Sequence, residues 1–396
     1  MTYFPVTKIG IADTSGADAF GRLRVAEPFT VFDSKQLLSS GTLVWALKSS
    51  VNATVEWMQT RASTILTVAA TSGSRAIRQT KNYFNYEPGK SFLVLNTGVF
   101  GTGSLGVKKR IGYFDDSNGL FFYQSGSTFN VVKRSSVDGG SPVETVVSQS
   151  EWNIDKFDGL GPSGFTLDVS KAQIFITDFE WLGTGRIRFG LNISGTTYVA
   201  HQMSHANSGT SVYMSSPNLP IRFEIENEQA VLVDSLESIC TNIMSEGGYE
   251  PVGFIRAIDR GSSSLSTVTS SFPSALLSLR KSSKTSTISP INFNILCDGA
   301  QNYYWKLVLN PTIIHSTDKA SWVSLDQSGV QYDVTRDVTN GISGGVIIDS
   351  GYSNGKLDGV VELDLKTAYI FGTDVDGVSD QLVLAVQLLG AGNANF

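Results

Sequence analysis

The chain has 396 residues, of which 41% are hydrophobic and only 17% charged, enough for two or three domains with real cores and too apolar for a disordered chain. A formal net charge of −6 argues against a nucleic-acid groove, which needs a concentrated excess of Lys and Arg. No apolar run approaches the length that spans a bilayer, and the opening MTYFPVTKIG lacks the basic and apolar regions of a secretory leader, so synthesis in the cytoplasm and no membrane partner are expected. Gly is abundant at 39 and Pro scarce at 11, and Ser and Thr are dense between Val, Ile and Phe, a composition of short strands and tight turns.

Residues 1–32 show no sustained period and read as an extended arm. About 30 residues reach on the order of 100 Å when stretched. Such an arm becomes ordered only by lying on its own domain or on a neighbour, and Phe20, Leu23, Val25 and Phe29 are its expected docking anchors, with Phe32 a further apolar residue. From 33 to 235 strand follows strand. Asp116-Ser117-Asn118-Gly119 between two aromatic runs predicts a hairpin turned by positive φ at Asn-Gly. QIFITDFEW, RIRFGLNI and TYVAHQM predict a meander. In its central run Ile187, Phe189 and Leu191 share one face and Arg186, Arg188 and Gly190 the other. In LPIRFEIEN, Ile221, Phe223 and Ile225 likewise oppose Arg222, Glu224 and Glu226, one face buried and one wet. Antiparallel strands of this kind pack as two sheets, and the fold expected is a jelly-roll β-sandwich.

Leu236, Ile239, Cys240 and Ile243 fall at i, i+3, i+4, i+7 between Ser235 and Gly247-Gly248, which predicts a short helix, followed by a linker to about 260. RGSSSLSTVTSSF is Ser-rich and reads as a loop. From 261 to 396, INFNILCDG, YYWKLVLN, GVIIDSG and QLVLAVQLL predict a second, smaller β-sandwich. Cys240 and Cys297 fit no metal or redox spacing and are expected as buried free thiols, with a single disulfide the alternative.

Motifs with chemical meaning are sparse. Laminarinase-type sandwich glycosidases carry Glu-x-Asp-x-Glu on one strand; here Asp178 and Glu180 fit, but the first position is Ile176, so the nucleophile is missing and an acid pair answering Arg186 or Arg188 is expected instead. His201 and His205 follow a strand with no Glu between them, and with only His315 besides, neither a zinc site nor a histidine triad is expected. Gly101, Gly103 and Gly106 match a dinucleotide pattern without its βαβ setting, Asp374–Gly377 is a fragment of a calcium loop that reads as a turn, and Asn52-Ala53-Thr54 is a sequon only by pattern. Lys108, Lys109 and Arg110 read as a solvated loop. Trp152, Trp181 and Trp305 could form sugar-stacking surfaces, though such rings more often fill sandwich cores. No cofactor, metal or catalytic residue is expected.

DAFGRLRVAEPFTVFDS, IGYFDDSNGLFF, WNIDKFDGLGPSGFTLDVSKAQIFITDFEWLGTGRIRFGL, VYMSSPNLPIRFEIEN and ESICTNIMSEGGYEPVGF, in this order over roughly residues 15–255, resemble a virion structural protein family of tailed phages, especially marine phages and cyanophages. DFEWLGTGRIRFGLNISGTTYVAH is also similar to lectin-like jelly rolls. The resemblance implies a multi-copy, non-enzymatic subunit of the particle, as head decoration, collar, or tail or fibre component. Assembled in the host cytoplasm, it would have other virion proteins and its own copies as partners. A fibre or spike module that binds host-surface glycan is the alternative, and a glycan hydrolase a more distant one. Beyond about residue 260 the resemblance ends.

Overall fold

The computed structural model describes residues 18–20, 28–137, 139–250, 253–259, 267–297, 300–314, 321–334, 341–354, 360–364, 370–390 and 394–395. The chain is all-β, with no α-helix among the described residues, and divides into two compact units. One comprises residues 1–80 and 84–251, the other 81–83 and 252–396.

The strands of the first unit are β1 (Pro28–Ser34), β2 (Trp45–Ser50), β3 (Thr54–Met58), β4 (Ser63–Val68), β5 (Ser74–Thr80), β6 (Ser91–Val99), β7 (Val107–Phe114), β8 (Gly119–Ser125), β9 (Thr128–Ser135), β10 (Val143–Ser148), β11 (Gln173–Phe179), β12 (Arg186–Ile193), β13 (Thr196–Ser204), β14 (Ile221–Asn227) and β15 (Asp234–Glu246). They form an eight-stranded sheet, β13-β12-β11-β6-β15-β4-β3 with β1 also on β15, and a seven-stranded sheet, β10-β9-β8-β7-β14-β5-β2. The inward residues of both sheets make one core. Phe175, Phe189 and Ile243 come from the first sheet, Ile111, Phe122 and Phe223 from the second. The Phe122 ring crosses between the layers, 4.9 Å from Phe175 and 5.5 Å from Phe189. Burying each such ring contributes about 1.5–3 kcal/mol, so the aromatic layer is the main source of cohesion.

Alternation placed Ile187, Phe189, Leu191, Ile221, Phe223 and Ile225 in this core, as expected. The opposite faces are not wet as expected. Arg188, Arg222 and Glu224 are also buried, because charge pairing and aromatic stacking replace water there. Glu224 sits at the centre of this array. Its oxygens lie 2.7 Å from Arg110 Nη1, 3.1 Å from Arg75 Nη2 and 3.2 Å from Arg222 Nη1. Arg222 also reaches Asp116 at 2.6 Å. The Arg134 guanidinium, bonded to Glu144 at 2.7 Å, lies 5.0 Å from the Phe121 ring centre. It thereby helps close a second apolar cluster of Phe114, Phe121, Tyr123 and Val132 on the outer face.

Three local expectations are corrected. Residues 236–247 form no helix; 236–246 belong to β15, a 13-residue strand, and Gly247 is the turn after it. Its ladder with β6 shifts register between Ser238 and Cys240, and this bulge restores inward alternation out of step. Leu236 and Ile243 therefore both face the core seven residues apart, a spacing that a helix also satisfies. Lys108, Lys109 and Arg110 form no solvated loop; they lie in β7, where Glu228 takes Lys108 at 2.6 Å, Asp234 takes Lys109 at 2.8 Å, and Glu224 takes Arg110. The β7–β8 hairpin is present, but Asn118 does not turn it by positive φ. Asp115 Oδ1 accepts from the Ser117 and Asn118 amides, both at 2.8 Å, and the buried Asn118 side chain donates to Ser215 Oγ at 2.9 Å.

The second unit contains β16 (Thr267–Val268), β17 (Ser274–Lys281), β18 (Asn292–Leu296), β19 (Asn302–Leu309), β20 (Thr312–Ile313), β21 (Val323–Ser324), β22 (Val330–Asp333), β23 (Ile342–Ser343), β24 (Val346–Asn354), β25 (Val360–Asp364), β26 (Gln381–Leu388) and β27 (Ala394–Asn395). A six-stranded sheet, β21-β22-β17-β26-β19-β24, is accompanied by the pairs β18–β25, β16–β27 and β20–β23. Phe293 and Ile295 of β18 share a core with Trp305, Leu307, Leu384 and Val386.

Burial alone would raise the Glu224 carboxyl, but Arg110, Arg222 and Arg75 outweigh it and hold it down to about 2. A depressed folded value means stability that is full above the ordinary value of 4.5 and lost as pH falls toward 2, on the order of 3 kcal/mol. Glu224→Gln leaves three guanidiniums facing a neutral amide and is expected to cost about 3–5 kcal/mol at pH 7. Urea denaturation at pH 7 and across the acid range measures both effects; an unchanged midpoint would refute the central role of Glu224.

Candidate functional site

The feature most distinct from an ordinary sandwich is the seat of the amino-terminal segment. β15 bonds to β6 along one edge over Glu237–Glu246. On its other edge two strands share the length: β4 covers Asp234–Ser238 and β1 covers Thr241–Glu246. Two separate strands on one edge leave a break between them, and the bulge in β15 falls at that break. Gln36, just after β1, fills it. Its Nε2 donates to the carbonyls of Ser238 at 2.9 Å and Ile239 at 2.7 Å, and its Oε1 accepts from Thr64 Oγ1. Trp57 Nε1 donates to the Gln36 carbonyl at 2.9 Å. A buried side-chain amide thus replaces the missing rungs of the ladder.

β1 is held otherwise by light apolar contact. Phe32 packs 5.0 Å from Phe84 and 6.1 Å from Trp45, whose Nε1 donates to Ser34 Oγ at 2.9 Å. A register shift between Thr30 and Phe32 turns Val31 and Phe32 toward the core. Phe29 is 47% exposed and stacks on Tyr249 at 5.5 Å. Farther up the chain, Asp18 and Ala19 are buried, and Arg186 of β12 binds both backbone carbonyls, with Nη2 2.8 Å from Asp18 O and Nε on Ala19 O. Phe20 is half-buried beside them, its amide donating to Asp18 Oδ1 at 3.0 Å. Leu23 and Val25 lie outside the described residues. Of the four expected anchors, then, Phe20 and Phe29 are located, and neither is fully buried. Phe32, Gln36 and Arg186 also hold the segment. Phe32 was visible as an apolar residue in the arm; Gln36 and Arg186 carry no local signal, because their partners lie far away in sequence.

The carboxylate strand has a different character. Ile176 and Asp178 line a shallow depression with Leu93, Arg188, Gly190 and Thr197. Asp178 is buried, its Oδ2 bonded to Arg188 Nη2 and its Oδ1 accepting from Ser91 Oγ at 2.8 Å. Glu180 Oε1 accepts from the Arg186 amide at 3.2 Å. Both carboxylates are engaged in holding strands together, and Ile176 offers no third. His201 Nδ1 accepts from the Asn153 amide at 3.3 Å. His205 is stacked on Tyr213 at 4.4 Å, between Lys133 Nζ at 3.1 Å and the Gly185 carbonyl at 2.8 Å. Burial lowers both imidazole pKa values. His315 lies outside the described residues. Among the described residues no three His, Cys, Asp or Glu side chains converge on a metal site.

Other singled-out motifs are structural in form. Gly101, Gly103 and Gly106 have φ of +79°, +76° and +75° in the β6–β7 connection, and a Cβ on Gly103 would come within 2.1 Å of the Gly126 carbonyl. Asp374 Oδ1 caps its own turn, accepting from the amides of Asp376 and Val378. Trp152 and Trp305 are buried and Trp181 half-buried, so these rings fill cores. Cys297 is buried as expected, whereas Cys240 is exposed on β15. No described helix is long and apolar enough to cross a membrane, which says nothing of barrels.

No family model and no curated protein matches the sequence. Among solved structures the chain is similar to the CBM2 module of the evolved Dit of Lactobacillus casei BL23 phage J-1, at 8% identity and a TM-score of 0.36, covering 57% of this chain and 99% of that one. It is similar to a Bacillus licheniformis β-glucanase at 10% identity and 0.34, covering 54% and 97%. It is also similar to a Mycobacterium marinum β-1,3-glucanase at 9% and 0.37, covering 54% and 98%. At these values the likeness carries nothing about activity or ligand.

Gln36→Ala is expected to leave two buried carbonyls and the Thr64 hydroxyl short of a partner, costing about 1–3 kcal/mol. Native-state hydrogen exchange should show the loss confined to β1 and the Thr241–Glu246 half of β15, with β7 and β8 unchanged. Uniform acceleration across both sheets would mean that Gln36 is not a local rung.

Proposed function

We propose that this chain is a structural subunit of a tailed-phage particle, present in many copies and joined to its neighbours through its amino-terminal arm. The observation that carries the reading is the seating of β1, a strand added to a sheet edge by backbone pairing from a segment that enters ahead of the sandwich. Such a strand can be supplied by its own chain or by a second copy without any change in the contacts made. The run of segments over residues 15–255 that resemble phage virion proteins supports the same reading, and so does the two-unit all-β architecture. The protein acts as a rigid building block and not as a catalyst; the engagement of Asp178 and Glu180 and the isoleucine at 176 support that. Its partners are other virion proteins and further copies of itself.

Counting copies by quantitative mass spectrometry of purified particles against the major capsid protein tests the assignment. Hundreds of copies indicate a head-surface or tail-tube component, one or two dozen a collar, baseplate or fibre. Absence from the particle would overturn the reading. The arm is tested separately by removing residues 1–34, which deletes β1. The remainder is expected to fold, to lose self-association in light scattering, and to take up a synthetic peptide of residues 18–36. Undiminished assembly of the truncated chain would refute strand addition as the joint.

A further inference from the structure

The outer face of the second unit's six-stranded sheet carries two tyrosines side by side at its edge. Tyr304 of β19 pairs directly with Tyr352 of β24, so both rings project from the same face, and their centres are 5.1 Å apart at an interplanar angle of 37°. β24 is the last strand of its sheet, and Tyr352 is 74% exposed. The row continues on β26 with Gln387, opposite Tyr304. The adjoining row on one side holds Asn302 and Asn354, and the one on the other side Lys306, Ser350 and Ala385. The inner face beneath is fixed: Trp305 packs across Gly351, where a Cβ would come within 2.6 Å of the indole. The exposed Tyr352 ring and the half-buried Tyr304 ring beside it therefore stand on a rigid floor.

We infer that the Tyr304–Tyr352 face is a binding platform for a neutral glycan, with the rings stacking against the C–H face of a sugar and the flanking amides and hydroxyl meeting its hydroxyls. The chemistry of the rows favours this occupant. A sugar presents an apolar ring face edged by neutral hydrogen-bonding groups, and the platform presents aromatic rings edged by neutral polar side chains: Ser350, Gln387, whose Nε2 donates to the Ser270 carbonyl at 2.9 Å, and Asn354, whose Nδ2 donates to Asn302 Oδ1. A nucleic acid would require a cluster of cations, and Lys306 is the one cation in these rows. A protein partner requires about 800 Å² from each side, whereas two tyrosine rings offer at most about 300–500 Å² between short polar neighbours. The inference stands apart from the assembly role, since the platform lies in the unit beyond the virion-like segments.

The full-length protein is applied to a microarray of neutral hexose and N-acetylhexosamine oligosaccharides, and the best-retained glycan is then titrated by calorimetry. Tyr352→Ala is expected to weaken binding about tenfold or more, and Tyr304→Ala with Tyr352→Ala to abolish it. Tyr352→Phe keeps the ring and should stay within about threefold of the parent. Melting curves of each variant confirm the fold. Retention of no neutral glycan, or equal binding by Tyr352→Ala, overturns the inference. So does a change of oligomeric state in Tyr352→Ala with glycan binding intact, which would assign the face to contacts between copies.

Discussion

The eight-stranded sheet depends on one strand being paired along both of its edges. β15 is held by β6 on one side and by β4 and β1 in succession on the other. Its ends must serve two different neighbours and still point Leu236 and Ile243 into one core. A straight strand of odd spacing cannot do both; the bulge at Ser238–Cys240 can, at the cost of unpaired carbonyls. Gln36 supplies what those carbonyls lack, and so the attachment of the arm, the bulge and the filling of the core are a single solution to one geometric problem.

The seven-stranded sheet meets a different constraint. Its outer face is closed by arginines laid over aromatic rings and bound to carboxylates. The packing has a cost, since desolvating each ion is worth several kcal/mol that only good geometry offsets. What it supplies is a fixed arrangement of strands on a face that would otherwise be free to slip by a register. The Asp178–Arg188–Ser91 group does the same service across β6, β11 and β12 of the other sheet.

The all-β class, the meander β11–β12–β13 and the inward sets Ile187–Phe189–Leu191 and Ile221–Phe223–Ile225 were legible because strand alternation requires only neighbours in sequence. Long-range pairing was not. Arg110 and Glu224 meet across 114 positions and Gln36 and Ser238 across 202, so nothing near either residue announces its partner. The bulge in β15 converted an alternating pattern into a seven-residue interval that reads as helix. The residues that seat β1 and Asp18–Ala19 were not legible, since a glutamine and an arginine act there through backbone carbonyls. Exposure misled in the other direction. Trp152 and Trp305 lie inside, and the exposed ring on the outer face of the second unit's sheet is Tyr352, whose outward direction is settled only by the pairing of β19 with β24.

The antiparallel pairing of β1 has a mechanical consequence. Its register begins with Pro28 opposite Glu246, at the very end of β15, and runs inward to Ser34 opposite Thr241. A pull on Pro28 directed across the strands therefore loads the ladder from its open end and parts its bonds one after another, as a zipper opens, whereas a pull along the strands shears them together.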